Sequence, residues 1–289
     1  MWRLGVLEMA NLLVAPILKW VGGKRQLLKD IIPLINKNCS TYVEPFVGGG
    51  AVFFELQPKK AIINDYNEEL INVYLTIRDH PEELISELEK HKKCNSEEYF
   101  YAIRALDRDI QYKMLSCIER AARIIYLNKT CYNGLYRVNS AGQFNAPYGK
   151  YKNPNIVNAT TIRAMSKYLN SDKIDIRHGD YKAVLKGLRK GAFVYLDPPY
   201  MPISSSSSFT GYTEGGFSYE KQVELKLECD KLKAKGISFL QSNSDCPEIR
   251  DLYKDYKIIT VQAKRSINSN ASKRGEISEV LIYYVANTE

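Results

Sequence analysis

Tyr42-Val-Glu-Pro-Phe-Val-Gly-Gly-Gly-Ala51 decides the fold of this chain. A short apolar run, typical of a buried strand, leads directly into a glycine-rich turn, and Asp65 follows the next predicted strand. Glycines let a backbone approach a ligand closely, and a carboxylate one strand over can accept hydrogen bonds from ribose hydroxyls. The pattern predicts a nucleotide-type site on an α/β sheet, with a glycine turn that binds nothing as the alternative.

The spacing of the glycines bears on which nucleotide would bind. A dinucleotide fingerprint, Gly-x-Gly-x-x-Gly, requires a small residue at position 53, where this chain has Phe53. The missing third glycine disfavours NAD and FAD, and it favours a ligand without a pyrophosphate, such as S-adenosylmethionine. A nicotinamide-dependent oxidoreductase is therefore the weaker alternative.

Short runs rich in β-branched and aromatic residues predict seven strands. Helical patterns such as Glu68–Ile77 and Tyr219–Lys235 lie between several of them, and this alternation predicts a Rossmann-like, mostly parallel α/β sheet. The polar segment Ala263–Ser278 is too irregular for a crossover helix, so we expect the last strand to run antiparallel to its neighbour. The predicted strands are Tyr42–Phe46, Ala61–Asn64, Ile174–His178, Ala192–Asp197, Ile237–Ser242, Lys257–Gln262 and Glu279–Tyr284.

A long gap between the second and third strands predicts an inserted domain at residues 81–164. It contains helical patterns, Pro81–Lys92 and one through Ile118, Ala122 and Ile125, and then a predicted β-hairpin at Leu135–Asn145. Residues 17–80 and 165–289 would form the catalytic domain, and residues 1–16 an N-terminal tail. The low-complexity run Ser204–Ser208 has the composition of a flexible loop.

Asp197-Pro-Pro-Tyr200 is the second informative motif. It follows the buried run Ala192–Leu196, and by chance this tetrapeptide would occur in such a chain with a probability on the order of 10⁻³. Two prolines fix the backbone at the carboxyl end of a parallel strand, where open α/β sheets bind ligands. A carboxylate beside a stacking ring suits a planar base that carries an amino group. The alternative is a strand ended by two prolines, with a surface aspartate and a packing tyrosine.

The third motif, Leu18-Lys-Trp-Val-Gly-Gly-Lys-Arg-Gln-Leu27, precedes a helix-like stretch. A helix start beside a lysine can receive a carboxylate. Taken alone, the motif also fits a basic turn with Trp20 in the core.

Composition limits the classes of protein to consider. The net charge is +8, from 41 Lys and Arg against 33 Asp and Glu, which suits a polyanionic partner such as nucleic acid. The six scattered cysteines and three histidines argue against a disulfide framework, a metal site or a histidine-dependent hydrolase, and they suggest a reducing cytoplasm. No apolar run approaches the 18 or more residues that span a bilayer, so we expect no membrane segment.

In combination and in this order, the motifs Lys19-Trp-Val-Gly-Gly-Lys24, Glu44-Pro-Phe-Val-Gly-Gly-Gly50 and Asp197-Pro-Pro-Tyr200 resemble those of the Dam-like DNA adenine methyltransferases of the D12 class, alpha group. The similarity extends from about Ile17 to Tyr284. It is especially close to the DpnII-type double-strand methylases, through Tyr132-Asn-Gly-Leu-Tyr-Arg-Val-Asn139 and Gln143-Phe-Asn-Ala-Pro-Tyr-Gly149. The resemblance implies a seven-stranded methyltransferase sheet, a mainly helical DNA-recognition insertion and an S-adenosylmethionine cofactor.

The resemblance also implies roles for individual residues. The catalytic residues would be Asp197, Pro198 and Tyr200. S-adenosylmethionine would be bound by Trp20, Lys24, Phe46, Gly48, Gly50, Asp65, Asp180, Tyr181 and Asp197. DNA would be read, within GATC, by Lys19, Leu135, Arg137, Pro147 and Tyr151.

For these residues to act, the target adenine must leave the double helix. Its amino group is a poor nucleophile, because the lone pair is delocalised into the ring, and in a duplex it is stacked and paired. Asp197 and the Pro198 carbonyl would accept hydrogen bonds from the amino group while Tyr200 stacks on the ring. A methyltransferase of RNA or cytosine and a silent GATC-binding module are the alternatives. The expected partner is double-stranded DNA. The motifs leave open whether a cognate restriction endonuclease exists, and they imply no direct contact with one.

Overall fold

The protein is described by a computed structural model that covers residues 10–20, 22–171, 173–202, 217–264 and 276–286. Within these ranges seven strands form one sheet. They are β1 (Thr41–Glu44), β2 (Lys60–Asp65), β3 (Lys173–His178), β4 (Ala192–Leu196), β5 (Ser238–Ser244), β6 (Lys257–Lys264) and β7 (Glu276–Tyr284). The order across the sheet is β3-β2-β1-β4-β5-β7-β6. Only β7 opposes the others, since it pairs antiparallel with both β5 and β6.

This architecture confirms the predicted α/β sheet with an antiparallel last strand, but the strand ends differ. β1 ends at Glu44 rather than Phe46, because Pro45 has no N–H to donate and the chain turns there. β6 and β7 extend to Lys264 and from Glu276, so both ends of the predicted loop Ala263–Ser278 are strand. Antiparallel pairing at a sheet edge tolerates polar residues. The polar composition of Ala263–Ser278 therefore led to the prediction of a loop where the ends of β6 and β7 are paired.

The helices pack on both faces of the sheet. Neighbouring strand residues point to opposite faces, so Tyr42 and Tyr195 join one core while Val43 and Val194 join the other. The ten α-helices in the described ranges are α1 (Leu28–Ile31), α2 (Ala51–Leu56), α3 (Glu68–Asp79), α4 (Pro81–Cys94), α5 (Glu97–Ala105), α6 (Cys117–Thr130), α7 (Ala159–Ser171), α8 (Tyr181–Lys186), α9 (Tyr219–Ala234) and α10 (Pro247–Leu252). The first core includes α1, α2, α3 and α7 together with the inserted helices, and the second includes α8, α9 and α10.

The inserted segment is helical and shares the first core. α4 begins with Pro81 in its first turn, and α6 begins with a capping box between Ser116 and Glu119. α6 packs along α3 and α4, and the buried side chains of the three helices are continuous with those under the sheet. The predicted boundary after residue 164 lies within the range of α7, a helix that packs against both α3 and α4.

The segment after α6 is mostly irregular. The predicted hairpin at Leu135–Asn145 is reduced to a single antiparallel bridge between Val138 and Phe144. The bond from the Asn145 N–H to the Arg137 carbonyl (2.9 Å) continues the pairing. A second bridge joins Cys131 to Tyr148, so the segment closes into a compact loop above the end of α6.

Residues 10–16 are the described part of the predicted N-terminal tail, and they pack against α2. Val14 is buried, and the Asn11 N–H donates to Oε1 of Gln57 (3.0 Å). The predicted flexible run Ser204–Ser208 lies outside the described residues. All six cysteines are free, and no helix in the described ranges combines the length and apolar character needed to cross a membrane.

Candidate active site

The residues predicted for catalysis and cofactor binding gather at the carboxyl edge of the parallel strands. Asp197 follows β4, Asp65 ends β2, and Asp180 follows β3. The turn that carries Gly48 and Gly50 follows β1, between them in the sheet. Open α/β sheets bind their ligands at this edge, so the topology places these side chains where a substrate can enter.

Asp197 is held by an ion pair to Lys24. The Lys24 Nζ lies 2.9 Å from Oδ1 of Asp197, and the same ammonium donates to the Gly22 carbonyl (2.6 Å). Burial raises the pKa of Asp197 to about 6; Lys24 opposes this shift and the charge of Glu279 adds to it. Asp197 is therefore a carboxylate near neutral pH that is unusually ready to accept a proton.

A second buried carboxyl group, Glu44, lies beside this pair. Burial raises the pKa of Glu44 to about 8, and the nearby charge of Asp197 contributes, so the group is mostly protonated at neutral pH. The Tyr42 hydroxyl bonds to Oε2 of Glu44 over 2.6 Å. A neutral Glu44 avoids placing a second negative charge beside Asp197.

Tyr200 lies against both Lys24 and β7. The Lys24 Nζ is 4.7 Å from the centroid of the Tyr200 ring, within the range of a cation–π contact. The Tyr200 hydroxyl donates to Oε2 of Glu279 on β7 (2.6 Å). The ring is thus oriented at its hydroxyl while its face meets the ammonium that also holds Asp197.

The glycine turn after β1 is shaped around Trp20 and Asp65. Gly48 has a φ of +49°, and a Cβ there would approach Cδ1 of Trp20 to 3.0 Å. The Gly48 N–H donates to Oδ2 of Asp65 (2.9 Å), and the Asn67 N–H donates to Oδ1 (2.9 Å). Burial raises the pKa of Asp65 despite these hydrogen bonds. Gly50 is equally constrained, since a Cβ would meet the Phe54 ring at 2.8 Å.

Aromatic rings enclose the same edge next to β3. The ring centroids of Phe46 and Tyr181 are 5.0 Å apart, and Phe217 meets Phe46 edge-on at 6.2 Å. The buried Tyr181 hydroxyl has no hydrogen-bond partner among the described residues. Asp180 caps α8 by accepting from the Lys182 N–H (2.8 Å). The Tyr181 hydroxyl is therefore a buried polar group that is available to a bound ligand.

The predicted DNA-contacting residues lie on the loop after α6 and beside it. The exposed Arg137 donates through Nε to Oδ1 of Asn145 (2.6 Å) and through a second nitrogen to the Asn145 carbonyl (2.9 Å). The Pro147 carbonyl accepts from the Tyr132 N–H (2.8 Å). Leu135 is half-buried, and the exposed Tyr151 packs so closely over Gly149 that a Cβ there would lie 2.5 Å from its ring.

Lys19 is brought to this loop by the buried Asn128 of α6. The Asn128 side chain accepts from the Lys19 N–H, donates to the Lys19 carbonyl (both 2.9 Å), and donates to the Gly134 carbonyl (3.0 Å). One side chain thus ties the start of the first motif to the loop that carries Leu135 and Arg137.

A ring stack connects the two groups of predicted residues. Trp20 stacks on Tyr136 with centroids 4.5 Å apart, and the Tyr136 hydroxyl is 3.5 Å from Nδ2 of Asn67, the cap of α3. Trp20 also forms one wall of the glycine turn. The nucleotide-type site and the predicted recognition loop therefore share a wall.

Sequence reasoning missed four residues of this arrangement: Glu44, Asn128, Tyr136 and Glu279. Glu44 lies in the Glu44-Pro-Phe-Val-Gly-Gly-Gly50 motif, and a carboxyl group at the end of a buried strand could have marked it as a site residue. Tyr136 stood between Leu135 and Arg137 and carried no chemical signal of its own. Asn128 and Glu279 act through contacts 109 and 79 residues away along the chain, which no local pattern shows.

Comparison with known proteins identifies the family. The sequence profile of the D12 class N6 adenine-specific DNA methyltransferases matches residues 20–267. The chain belongs to this family. The family confirms the sequence-based resemblance, and it identifies the protein as an adenine-specific DNA methyltransferase rather than an enzyme of RNA, cytosine or nicotinamide chemistry.

Relatives of similar length support this assignment. The type II methyltransferase M1.LlaDCHI of Lactococcus lactis subsp. cremoris is 46% identical over 284 residues, which are 98% of this chain and 100% of that protein. The type II methyltransferase M.MjaIII of Methanocaldococcus jannaschii is 40% identical, covering 93% of this chain and 98% of its own. The DNA adenine methylase of Escherichia coli strain K12 is 34% identical, covering 92% and 94%.

Proposed function

We propose that this D12 class enzyme transfers the methyl group of S-adenosylmethionine to the exocyclic amino nitrogen, N6, of adenine within GATC sites of double-stranded DNA. The observation that carries the proposal is the position of Asp197, which lies at the carboxyl end of β4 beside the Lys24 ammonium, while the same ammonium contacts the face of the Tyr200 ring. A hydrogen-bond acceptor and a stacking surface for an aminopurine thus share one site with a cation.

The chain's own groups fit the parts of S-adenosylmethionine. Lys24 supplies an ammonium for the carboxylate of the cofactor, and Asp65 supplies acceptors for ribose hydroxyls. For its adenine, Phe46 and Tyr181 supply rings, and Tyr181 supplies a hydroxyl that has no hydrogen-bond partner in the part of the chain that the structure describes. Gly48 keeps the space beside Trp20 that any Cβ would fill. When bound, the cofactor supplies an electrophilic methyl group on a sulfonium.

The reacting residues act mainly by positioning and electrostatics. The target adenine leaves the helix, and Tyr200 stacks on its face. Asp197 and the Pro198 carbonyl accept hydrogen bonds from the amino group, which favours a pyramidal nitrogen with an available lone pair. With a pKa of about 6, Asp197 is also suited to take the proton that N6 must lose, and to release it to water.

Lys24 sets the order of events in this proposal. Its ammonium forms an ion pair with Asp197 and a cation–π contact with the face of Tyr200. These are the two groups that would contact the target base. An anionic group at Lys24 weakens both contacts, because the ammonium then has another negative partner. Asp197 and Tyr200 become available to the base once Lys24 is engaged elsewhere.

GATC is the sequence that the recognition loop favours. Arg137 presents a planar guanidinium suited to the O6 and N7 acceptors of a guanine edge, and Asn145 holds it in one orientation. Lys19, Leu135, Pro147 and Tyr151 complete the set whose residue types resemble those of GATC methylases. Two relatives are named type II methyltransferases, which supports a role in restriction–modification beside an endonuclease of the same specificity.

The six free thiols suit a compartment that holds DNA and keeps cysteines reduced, such as the cytoplasm.

Mass spectrometry of nucleosides tests the reaction directly. Unmethylated duplex DNA is incubated with S-adenosylmethionine and the wild-type protein, the Asp197→Ala variant or the Asp175→Ala variant. Asp175 is an exposed aspartate that pairs with Arg177 on β3, so its variant is a matched control. We expect N6-methyladenine from the wild type and the control, and a loss of more than about a thousandfold for Asp197→Ala.

Retained activity in Asp197→Ala would contradict the mechanism. If the DNA is methylated but is still cleaved by an endonuclease that methylation at GATC blocks, the proposed recognition sequence GATC would be wrong. Binding of cofactor and DNA without any methylation would indicate a silent binding module.

A further inference from the structure

Four polar side chains outside the Asp197-Pro-Pro-Tyr200 motif converge on the segment from Pro199 to Met201. They come from three different elements, and none belongs to the motifs recognised in the sequence. They are Gln222 of α9, Asn243 and Ser244 of β5, and Glu279 of β7.

Three of them hold the backbone on either side of Tyr200. Gln222 donates to the Pro199 carbonyl (3.0 Å), and Asn243 accepts from the Met201 N–H (3.2 Å). Ser244 donates to the Met201 carbonyl (2.6 Å). Gln222 and Asn243 are fully buried and bond to each other (2.9 Å), so the network excludes water and has few alternative arrangements.

Glu279 holds the other end of the same residue. Its Oε2 accepts from the Tyr200 hydroxyl over 2.6 Å, the short distance typical of a hydroxyl bound to a carboxylate. The topology explains why a residue so distant in sequence is available. β7 runs antiparallel, so its first residues lie at the edge where the parallel strands end, and Glu279 pairs with Ser244 there.

Together these contacts restrain the ring of Tyr200 at two points. The backbone network fixes the position of its Cα, and Glu279 fixes the direction in which the hydroxyl points. A ring held only at Cα could rotate about its side-chain bonds, and stacking on a base depends strongly on the plane of the ring. The hydroxyl oxygen lies on the axis about which the ring turns, so anchoring it fixes the direction of that axis. Because a phenolic O–H prefers to lie in the plane of its ring, the direction of the bond to Glu279 also favours one ring plane.

We propose that Glu279 is a positioning residue, which fixes the plane of Tyr200 for stacking on the flipped adenine through the hydrogen bond to its hydroxyl. The inference rests on the proposed function, since it assumes that Tyr200 stacks on the target base. Glu279 itself does not touch the reacting atoms.

A double-mutant cycle tests the coupling. The variants are Glu279→Ala, Tyr200→Phe and the double variant, each compared with the wild type in single-turnover methylation of a GATC duplex. If Glu279 acts through the hydroxyl, each single variant should lose about tenfold in rate. The double variant should lose no more than the larger single loss, because both changes remove the same contact.

Two further readouts separate positioning from general stability. A duplex with 2-aminopurine at the target position becomes fluorescent when that base is unstacked, and quenched when it stacks on an aromatic ring. We expect Glu279→Ala to change this signal while the affinity for S-adenosylmethionine stays the same. Glu279→Gln keeps an acceptor oxygen and should recover most of the rate.

Tyr256→Phe is the matched control. The Tyr256 hydroxyl also donates to a carboxylate, that of Asp230, but it lies at the opposite edge of the sheet, just before β6 begins. We expect this variant to methylate at the wild-type rate. Thermal unfolding of every variant checks that the fold is retained.

Additive losses, about a hundredfold in the double variant, would overturn the proposal. A rate for Glu279→Gln as low as that of Glu279→Ala would also overturn it. Failure of the proposed function looks different, because the wild type would then form no methyladenine or Asp197→Ala would remain active.

Discussion

At the scale of single residues, the site is governed by the charges that surround one carboxylate. The ammonium of Lys24 favours the ionised form of Asp197, whereas the negative charge of Glu279 disfavours it. The neighbouring Glu44 is largely neutral. Burial adds the largest contribution and raises the pKa of Asp197 to about 6. The proposed reaction needs the ionised form as a hydrogen-bond acceptor, so protonation of this group should limit the enzyme in acid.

The pH profile of methylation is the first prediction. Between pH 8 and 5, we expect kcat/KM for DNA to stay level down to about pH 6, the pKa of Asp197, and to fall about tenfold per unit below it. Glu279→Gln removes a negative charge that raises this pKa, so the acid limb should move to lower pH. Steady-state rates across this range give both profiles.

Asp175→Asn is the control for this profile, because its carboxylate is exposed and pairs with Arg177 on β3. A profile that stays flat to pH 5, or an acid limb that moves upward in Glu279→Gln, would show that Asp197 is not the titrating group.

At the scale of elements, the loop that carries Arg137 is anchored by the ion pair between Asp107 and Arg123. Asp107, between α5 and α6, accepts from the Phe144 N–H of the loop (2.7 Å) and pairs with the buried Arg123 of α6 (2.8 Å). Arg108 donates to the Phe144 carbonyl (2.8 Å). Asn145, which orients Arg137, is the next residue along. The orientation of the Arg137 guanidinium therefore depends on hydrogen bonds and an ion pair within the protein that anchor Phe144, the residue before Asn145.

Removal of this anchor is the second prediction. Asp107→Ala should raise KM for GATC duplexes about tenfold, since one charge-assisted hydrogen bond to the loop is lost, while cofactor affinity stays unchanged. It should also lower the free energy of unfolding by about 3 kcal/mol, because Arg123 loses its carboxylate partner. Steady-state kinetics and urea unfolding measure the two effects.

Asp79→Ala is the matched control for this change, because it removes the aspartate of an exposed arginine pair at the end of α3. We expect Asp79→Ala to lower the free energy of unfolding by less than about 1 kcal/mol and to leave KM for GATC duplexes unchanged. An Asp107→Ala variant that is less stable but binds DNA with an unchanged KM would show that the loop does not need this anchor.

At the scale of the whole molecule, the excess of positive charge should dominate nonspecific affinity for DNA. The net charge of +8 attracts the phosphate backbone, and each neutralised phosphate releases counterions. The stack of Trp20 on Tyr136 joins the glycine turn to the loop that carries Arg137, so the proposed cofactor site and the proposed DNA-reading loop belong to one continuous structure. Affinity for DNA should therefore contain a strong electrostatic part and a smaller part that reads sequence.

The salt dependence of DNA binding is the third prediction. Affinity should fall on the order of a hundredfold or more between about 50 and 200 mM salt. Arg137→Ala should keep nearly the same slope of log K against log salt, yet it should bind GATC and altered sites more equally, since the proposed role of Arg137 is to read a base edge. Fluorescence anisotropy with labelled duplexes measures both quantities. A flat salt response, or an Arg137→Ala variant with unchanged preference for GATC, would contradict this division.

Much of the fold and part of the site were predictable from local patterns. The strand before the glycine turn and the strand before Asp197 are short apolar runs, and their alternation with helices requires a mostly parallel sheet. Phe53 was correctly treated as a departure from the dinucleotide pattern, and it lies in the core against Phe54 and Tyr168. The predicted hairpin was too regular, because hydrogen bonds from side chains replace most of its ladder.

The sequence by itself determined the family, the strands and the motif residues, since each depends on residues that are neighbours along the chain. Only the tertiary structure decided that β7 lies between β5 and β6, and thereby that Glu279 reaches Tyr200. It also decided that Asn128 ties Lys19 to the recognition loop and that Trp20 stacks on Tyr136. These contacts join segments far apart in sequence, and local periodicity contains no information about which strands and loops will meet.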